Sequence, residues 1–350
     1  MKNLLKIELI FLIATVSGVY PADSEKPYYR AEMICSPTLR FPRCHSSNLI
    51  ALPDGSLLCA WWSGSEEGAP DNVILSALRP AGQRGWQAPR VLTDTPDTTD
   101  SNPVFFLYSA EQLWLLYRTG LPWVRLMRIR SNDLGLTWSK PEIFLDEPGV
   151  TLRSGILRLE NGRIIIPLMR YHDRDGALSQ AKSVFLLSAK AEKGWDFSKE
   201  FDSAIQGNEP ALAQRKDGSL LAFMRPYGID SGRLFIIRSE SRDRGRTWSE
   251  PELTDLKNPS SAVDLHRLRN GHLVLAFNDN QKSRTDLSLA LSLDEGQSWS
   301  YRRVLENALG RFSYPSLAQS MDELVHVSYT FRRTHIKHVE VNEAWIMDQH

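Results

Sequence analysis

The 350-residue sequence predicts an all-β fold, a six-bladed β-propeller with four-stranded antiparallel blades, and three observations predict it. A motif S-x-D-x-G-x-[ST]-W occurs three times, beginning at Ser131, Ser241 and Ser292. Reduced copies at Arg84-Gly85-Trp86 and Lys193-Gly194-Trp195 extend it, so tryptophans stand at 86, 138, 195, 248 and 299, at intervals of 52, 57, 53 and 51 residues. A turn dipeptide that feeds an apolar strand runs in step with the motif, at Asp54-Gly55, Asn161-Gly162, Asp217-Gly218 and Asn270-Gly271, with weaker copies at Glu111-Gln112 and Asp322-Glu323. The apolar runs between these landmarks, such as Val184-Phe-Leu-Leu-Ser and Phe235-Ile-Ile-Arg-Ser, are too short and too β-branched or aromatic for helices. Units of about 53 residues hold four strands each, and six of them fill the chain; a sandwich has no such long period and a β-helix has a much shorter one.

Taken from the N-terminus, residues 1–22 read as a signal peptide: Lys2 and Lys6 precede the apolar run Leu9–Val16, and small residues follow. That run is short for a bilayer span. The expectation is one exported domain, residues 23–350, periplasmic or secreted and with no membrane span. Cys35 and Cys44 could pair in an oxidising compartment, whereas Cys59 lies in an apolar strand and reads as a buried thiol. Three cysteines cannot make a disulfide scaffold, and their spacing indicates no metal site. Forty-two basic residues balance 42 acidic ones, so the chain lacks the general charge that draws proteins to nucleic acid or anionic membranes. Any preference for anions must be local.

The repeated motif reads as structural. Its serine and aspartate can bond turn amides, its glycine can take positive φ, and its tryptophan can fill the wedge between blades. It offers too few oxygens for a calcium loop, and no cofactor is expected.

These motifs resemble the Asp-boxes, or BNR repeats, of the sialidase superfamily, over nearly the whole mature chain. Three non-repeated segments strengthen the resemblance. Gly207-Asn208-Glu209-Pro-Ala-Leu followed by a strand ending in Arg225 is similar to the stretch carrying a catalytic glutamate and a substrate-binding arginine. Phe277-Asn278-Asp279 with Arg284 resembles the region of another binding arginine. Gly310-Arg-Phe-Ser-Tyr314-Pro resembles the segment of the nucleophilic tyrosine. The resemblance implies that Tyr314 attacks the anomeric carbon, Glu209 takes its proton, and Arg225 and Arg284 clamp a substrate carboxylate. Chemistry supplies a reason: a sialic acid carries a carboxylate on its anomeric carbon, which would repel a carboxylate nucleophile but not a neutral phenol.

The first blade departs from the family pattern. The family's R-I-P motif, whose arginine completes a triad, is expected about ten residues before the turn glycine Gly55, where this chain has His45 within Phe41-Pro-Arg43-Cys-His45. Either His45 replaces that arginine or Arg43 reaches the site from a shifted position. The acid/base residue is expected near position 70, where Glu67 and Asp71 are the candidates and Glu67 is favoured because Asp71 adjoins the next strand. Asp264 and Arg332 are further residues that could face the pocket. The pattern is most similar to a subgroup of predicted neuraminidases, and it implies an exo-glycosidase that removes a terminal sialic acid or similar acidic sugar from a glycoconjugate. Two alternatives stay open: a polysaccharide lyase or uronate- or rhamnose-directed hydrolase centred on His45, and a non-catalytic sugar-binding propeller.

Overall fold

A computed structural model describes residues 25–120, 124–147, 149–174, 177–190, 193–201, 203, 205, 207–227 and 234–348; the expected signal segment 1–22 lies outside the described residues. The short apolar runs form strands that pair as successive antiparallel hairpins. First in sequence is β1 (Tyr29–Cys35). Blade 1 is β2 (Arg43–Ala51), β3 (Leu57–Gly64), β4 (Val73–Arg79) and β5 (Arg90–Thr93), and blade 2 is β6 (Asp100–Leu107), β7 (Leu113–Thr119), β8 (Arg125–Ser131) and β9 (Glu142–Leu145). In blade 3 the inner strand is interrupted, as β10 (Val150–Leu152) and β11 (Leu157–Arg158), before β12 (Ile164–Arg174), β13 (Ala177–Lys190) and β14 (Lys193–Phe197). Blade 4 is β15 (Gly207–Gln214), β16 (Leu220–Pro226), β17 (Phe235–Ser241) and β18 (Glu252–Lys257), and blade 5 is β19 (Asp264–Arg267), β20 (Leu273–Phe277), β21 (Asp286–Ser292) and β22 (Tyr301–Asn307). Blade 6 is β23 (Phe312–Gln319), β24 (Val325–Phe331) and β25 (His335–Val341), completed on its outer edge by β1; a short helix, α1 (Glu343–Met347), follows. The six-bladed all-β propeller expected from the repeat is the observed fold.

The ring closes because the N-terminal strand joins the last blade, with Tyr29 opposite Val341 and Arg30 opposite Glu340. One residue ties both ends. Asn342 accepts the Tyr28 amide (2.9 Å), donates to the Lys26 carbonyl (2.7 Å) and caps α1 by accepting the Trp345 amide (2.9 Å). Cys35 on β1 and Cys44 on β2 are free thiols with sulfurs 3.3 Å apart, and Cys59 is a third buried free thiol.

The turn dipeptides close the hairpin between the first and second strand of their blades. Their Asp or Asn side chain accepts the amide two residues on, as Asp54 does from Ser56 (2.9 Å) and Asp217 from Ser219 (2.9 Å). The repeated motif joins the third strand to the fourth. In the copy that begins at Ser131, Ser131 Oγ donates to Asp133 (2.7 Å) and accepts the Gly135 amide (2.7 Å). Asp133 accepts the Thr137 amide (2.8 Å), and Trp138 Nε1 donates to the Gly135 carbonyl (3.1 Å). The copy at Ser241 repeats all four bonds, and that at Ser292 repeats the serine and aspartate bonds. Each loop leans on the preceding blade: Trp248 stacks on Phe185 of blade 3 (4.1 Å between centroids), and Trp299 packs against Phe223 of blade 4 (5.6 Å). The motif recurs because the same loop serves each time to pack a blade against the one before it.

Gly296 shows why glycine is required there. It has φ 85°, and an added Cβ would lie 2.6 Å from Leu221 Cδ2 in the neighbouring blade. Gly82 also has positive φ (71°) but would meet nothing within 4 Å. Gly296→Ala is therefore expected to lower unfolding free energy by about 2–3 kcal/mol and Gly82→Ala by about 1 kcal/mol, the difference being the packing contribution. Chemical denaturation of both variants checks it; equal losses would mean that the blade contact contributes nothing.

Candidate active site

The innermost strands bring the chemistry to the axis by one recurring device. Ser46 (φ 55°), Asn102 (50°), Glu209 (50°), Ser260 (54°) and Tyr314 (56°) all take the left-handed conformation, in or just before the first strand of their blades. Four of them sit in β-bulges, where the pairing register slips. Asn102, Glu209 and Tyr314 each precede a proline, so the bulge exposes no unpaired amide at the following residue. Arg153 stands at the corresponding break between β10 and β11. The six positions 46, 102, 153, 209, 260 and 314 recur at intervals of 56, 51, 56, 51 and 54 residues. Non-glycine residues held at positive φ store strain, which marks functional positions in many proteins.

Glu209 and Tyr314 meet across the axis. Tyr314 Oη donates to Glu209 Oε1 (3.2 Å), and Arg225 Nη1 donates to Glu209 Oε2 (2.8 Å) and lies 3.4 Å from Tyr314 Oη. Glu209 is 5% exposed, while Tyr314 is only half-buried and so remains accessible. Burial and the Glu209 charge push the Tyr314 phenol pKa up, and Arg225 and Arg284 oppose them. Arg225 is itself held charged, its burial outweighed by Glu209 and Tyr314.

Other cations surround this trio. Arg284 donates to the Ser260 carbonyl (2.7 Å), with its guanidinium carbon 5.8 Å from the Tyr314 ring centre. Arg153, 2% exposed, lies 5.0 Å from the same ring centre. His45 packs edge-on against Tyr314 (4.3 Å between centroids) and Trp62 (5.6 Å), with Nδ1 2.9 Å from Thr330 Oγ1. Its buried Nε2 has no partner among the described residues. Burial, reinforced by Arg333, Arg284, Arg153 and Arg311, pushes the His45 pKa well below the ordinary value, so the imidazole is neutral at physiological pH. A net-neutral protein thus concentrates arginines at one place, as a local anion site requires.

The remaining candidates separate by geometry. Glu67 is exposed and pairs with Arg333, and its charge acts on Tyr314. Asp71 staples its own turn, accepting the Ser65 amide (3.0 Å) and hydroxyl (2.9 Å). Arg43 is exposed at the start of β2, and Arg332 is exposed with its guanidinium over Phe331 (5.2 Å). Asp264 is buried and accepts the Leu317 amide (2.7 Å), three residues after Tyr314. Sequence reasoning missed Arg153 and also Tyr171, which interacts electrostatically with Glu209, Arg118, Tyr314 and Arg225. Counting by blade period from Asn102 or Glu209 would have found Arg153.

One group among the described residues has the composition of a metal site, His326, His338 and Glu340 in blade 6. Its members are engaged with one another and with arginine: His326 Nδ1 lies 3.0 Å from His338 Nε2, and Glu340 accepts from Arg79 (2.6 Å) and Arg30 (3.0 Å). The arginines already neutralise the carboxylate a cation would need.

Burial raises the Asp264 pKa to about 6, against ~3.9 for an unfolded aspartate. The folded state therefore takes up the proton first, and this group's contribution to stability grows as pH falls from 7 through 6 toward 4. Between pH 7.5 and 5 the wild type should gain roughly 1 kcal/mol on Asp264→Asn, measured by denaturant unfolding at both pH values. A difference independent of pH would show that Asp264 is not titrating in this range.

Six antiparallel blades around an axis that holds a tyrosine–glutamate pair among arginines are the architecture of the sialidase and BNR-repeat propellers. The sequence model of the BNR repeat-like domain family matches residues 55–327, and the chain belongs to that family. A curated relative, the sialidase of Micromonospora viridifaciens, is 23% identical over 385 residues; the match covers 95% of this chain but 58% of that protein's length. Among solved structures, a protein of unknown function from Dyadobacter fermentans superposes with a TM-score of 0.74 at 17% identity, covering 90% of this chain and 99% of that one. The Hadza microbial sialidase Hz136 gives 0.71 at 18% identity, with 86% and 65% covered. The intramolecular trans-sialidase of Ruminococcus gnavus gives 0.72 at 14% identity, with 91% and 98% covered. At these identities the structural likeness establishes the fold.

Proposed function

We propose that this protein is an exported exo-glycosidase that hydrolyses a terminal sialic acid, or a similar acidic sugar, with retention of configuration through a tyrosyl intermediate. The observation that carries the reading is the Tyr314–Glu209–Arg225 arrangement, an accessible phenol whose hydroxyl is bonded to a buried, ion-paired carboxylate. In the first step Tyr314 Oη bonds to the anomeric carbon as its proton passes to Glu209, and the glycosidic C–O bond breaks. The leaving oxygen receives a proton from an acid, a role assigned to Glu67, whose charge reaches Tyr314, in preference to Asp71, whose carboxylate is held within its own turn by the Ser65 amide and hydroxyl. In the second step water, deprotonated by the same acid/base group, displaces Tyr314, which recovers its proton from Glu209. Arg225 and Arg284 are assigned to the substrate carboxylate, and His45, a neutral ring packed on Tyr314, is assigned the place of a third arginine. The curated relative named a sialidase supports this reading.

A second reading rests on the unpartnered His45 Nε2, which a neutral imidazole could use as a base toward a uronate. A product screen separates the two. With sialyllactose, first-formed free sialic acid as the α anomer, seen by NMR, is the expected result. Release of an ultraviolet-absorbing unsaturated uronate from uronic-acid oligosaccharides, with sialyllactose untouched, would overturn it in favour of the second reading.

A further inference from the structure

We propose that Arg153 is a positioning residue for Tyr314: it holds the backbone just after the tyrosine and places a fixed positive charge against the face of its ring. The inference rests on Tyr314 being the nucleophile.

The side chain is unusual for an arginine with a purely structural role. It is 2% exposed, yet among the described residues its side chain makes a single donation, from Nη2 to the Pro315 carbonyl (2.7 Å), and its buried Nε has no partner. Asp264 and Glu209 act on it through space, not through a hydrogen-bonded pair of the kind that joins Arg225 to Glu209. Burying a guanidinium costs more than one bond to a neutral carbonyl returns, so an apolar side chain of similar length would serve packing better. What the charge does secure is a position 5.0 Å from the Tyr314 ring centre. A cation there favours the phenolate over the phenol. That helps when Tyr314 yields its proton to Glu209, and again when the phenolate departs in the second step.

The backbone grip is shared between blades. Arg153, from blade 3, holds the Pro315 carbonyl, and Asp264, from blade 5, holds the Leu317 amide (2.7 Å). From blade 1, Asn48 Nδ2 and the Leu49 amide both donate to Ser316 Oγ (3.2 and 3.0 Å). The bulge that keeps Tyr314 at φ 56° is thus held on three successive residues from three separate blades, and Arg153 is the member that also faces the ring.

The test uses full-length protein with 3,5-difluorotyrosine at position 314, whose more acidic phenol titrates while the protein is folded, read by fluorine NMR. Wild type, Arg153→Met and Arg153→Lys are titrated, and the same substitutions in unlabelled protein are assayed on an aryl sialoside. Arg153→Met is expected to raise the phenol midpoint by about one pH unit and lower kcat about tenfold, with KM within twofold; Arg153→Lys should restore most of the midpoint. If Arg153→Met does not fold, the comparison of Arg153→Lys with wild type decides, because a lysine that keeps the midpoint while Arg153→Gln shifts it still requires the charge. An unchanged midpoint in folded Arg153→Met or Arg153→Gln overturns the proposal. Full sialoside cleavage by Tyr314→Phe would instead overturn the nucleophile assignment and leave the titration result standing as an electrostatic fact.

Discussion

Tyr314→Phe is expected to lower kcat for sialoside cleavage by on the order of a thousandfold while leaving the fold and melting temperature nearly unchanged. The asymmetry follows from what the substitution removes. The phenylalanine ring keeps the edge contact with His45 (4.3 Å) and its proximity to Arg153 and Arg284; only the hydroxyl, bonded to Glu209 at 3.2 Å and near Arg225 at 3.4 Å, is lost. A half-buried hydroxyl contributes about 1 kcal/mol to stability, but without it no oxygen remains to bond the anomeric carbon. Steady-state kinetics beside a thermal melt measures both halves. Retained activity would remove Tyr314 from the mechanism, and a collapse in stability would make the variant uninformative about chemistry and show that the hydroxyl is structural.

Glu209→Gln should affect rate and stability together. The substitution keeps the size of the side chain but breaks the 2.8 Å ion pair with Arg225, leaving a guanidinium side chain that is only 15% exposed without its counterion. Breaking one half of a buried pair typically costs 3–5 kcal/mol, and the amide's remaining acceptor recovers part of that, so a loss of about 2–3 kcal/mol in denaturant unfolding is expected. The rate should fall by a further independent cause, because an amide cannot take the phenol proton; a loss of about a hundredfold to a thousandfold in kcat is in the range for a missing general base. Since Tyr314 and Glu209 act as a unit, the double variant should be scarcely slower than Tyr314→Phe alone. Additive losses would mean that they act in separate steps.

The fold was legible in the sequence to a greater depth than the site, for a physical reason. Each copy of the eight-residue motif contains both ends of its own hydrogen bonds, Ser131 to Gly135 and Asp133 to Thr137, so its local geometry is encoded locally and its period reveals the blades. The joining of β1 to β25 was not visible, because nothing in Tyr29–Cys35 names a partner more than 300 residues away. In the site, Glu209, Arg225 and Tyr314 were legible through resemblance. Arg153 was not: Thr151-Leu-Arg153-Ser-Gly carries no local signal, and its significance comes from Pro315 and Tyr314, three blades on. Asp264 could be read as pocket-facing or as a turn residue, and only the fold shows it gripping the Leu317 amide. The sequence favours Glu67 over Asp71 only because Asp71 adjoins the next strand, and their partners, Arg333 for Glu67 and Ser65 for Asp71, are set by loop contacts that no spacing encodes.

The recurring left-handed residue of the inner strands has a consequence for how such a protein can change. Ser46, Asn102, Glu209, Ser260 and Tyr314 are left-handed, and together with Arg153 at the break in the inner strand of blade 3 they work like six sockets on a common hub. The tryptophan loops make their hydrogen bonds and ring contacts without using the socket residues, so the rim is built independently of the chemistry at the centre. New chemistry can therefore arise by exchanging the occupants of a few sockets, and a chain that keeps every motif of the rim can still differ from its relatives in what it does at the centre.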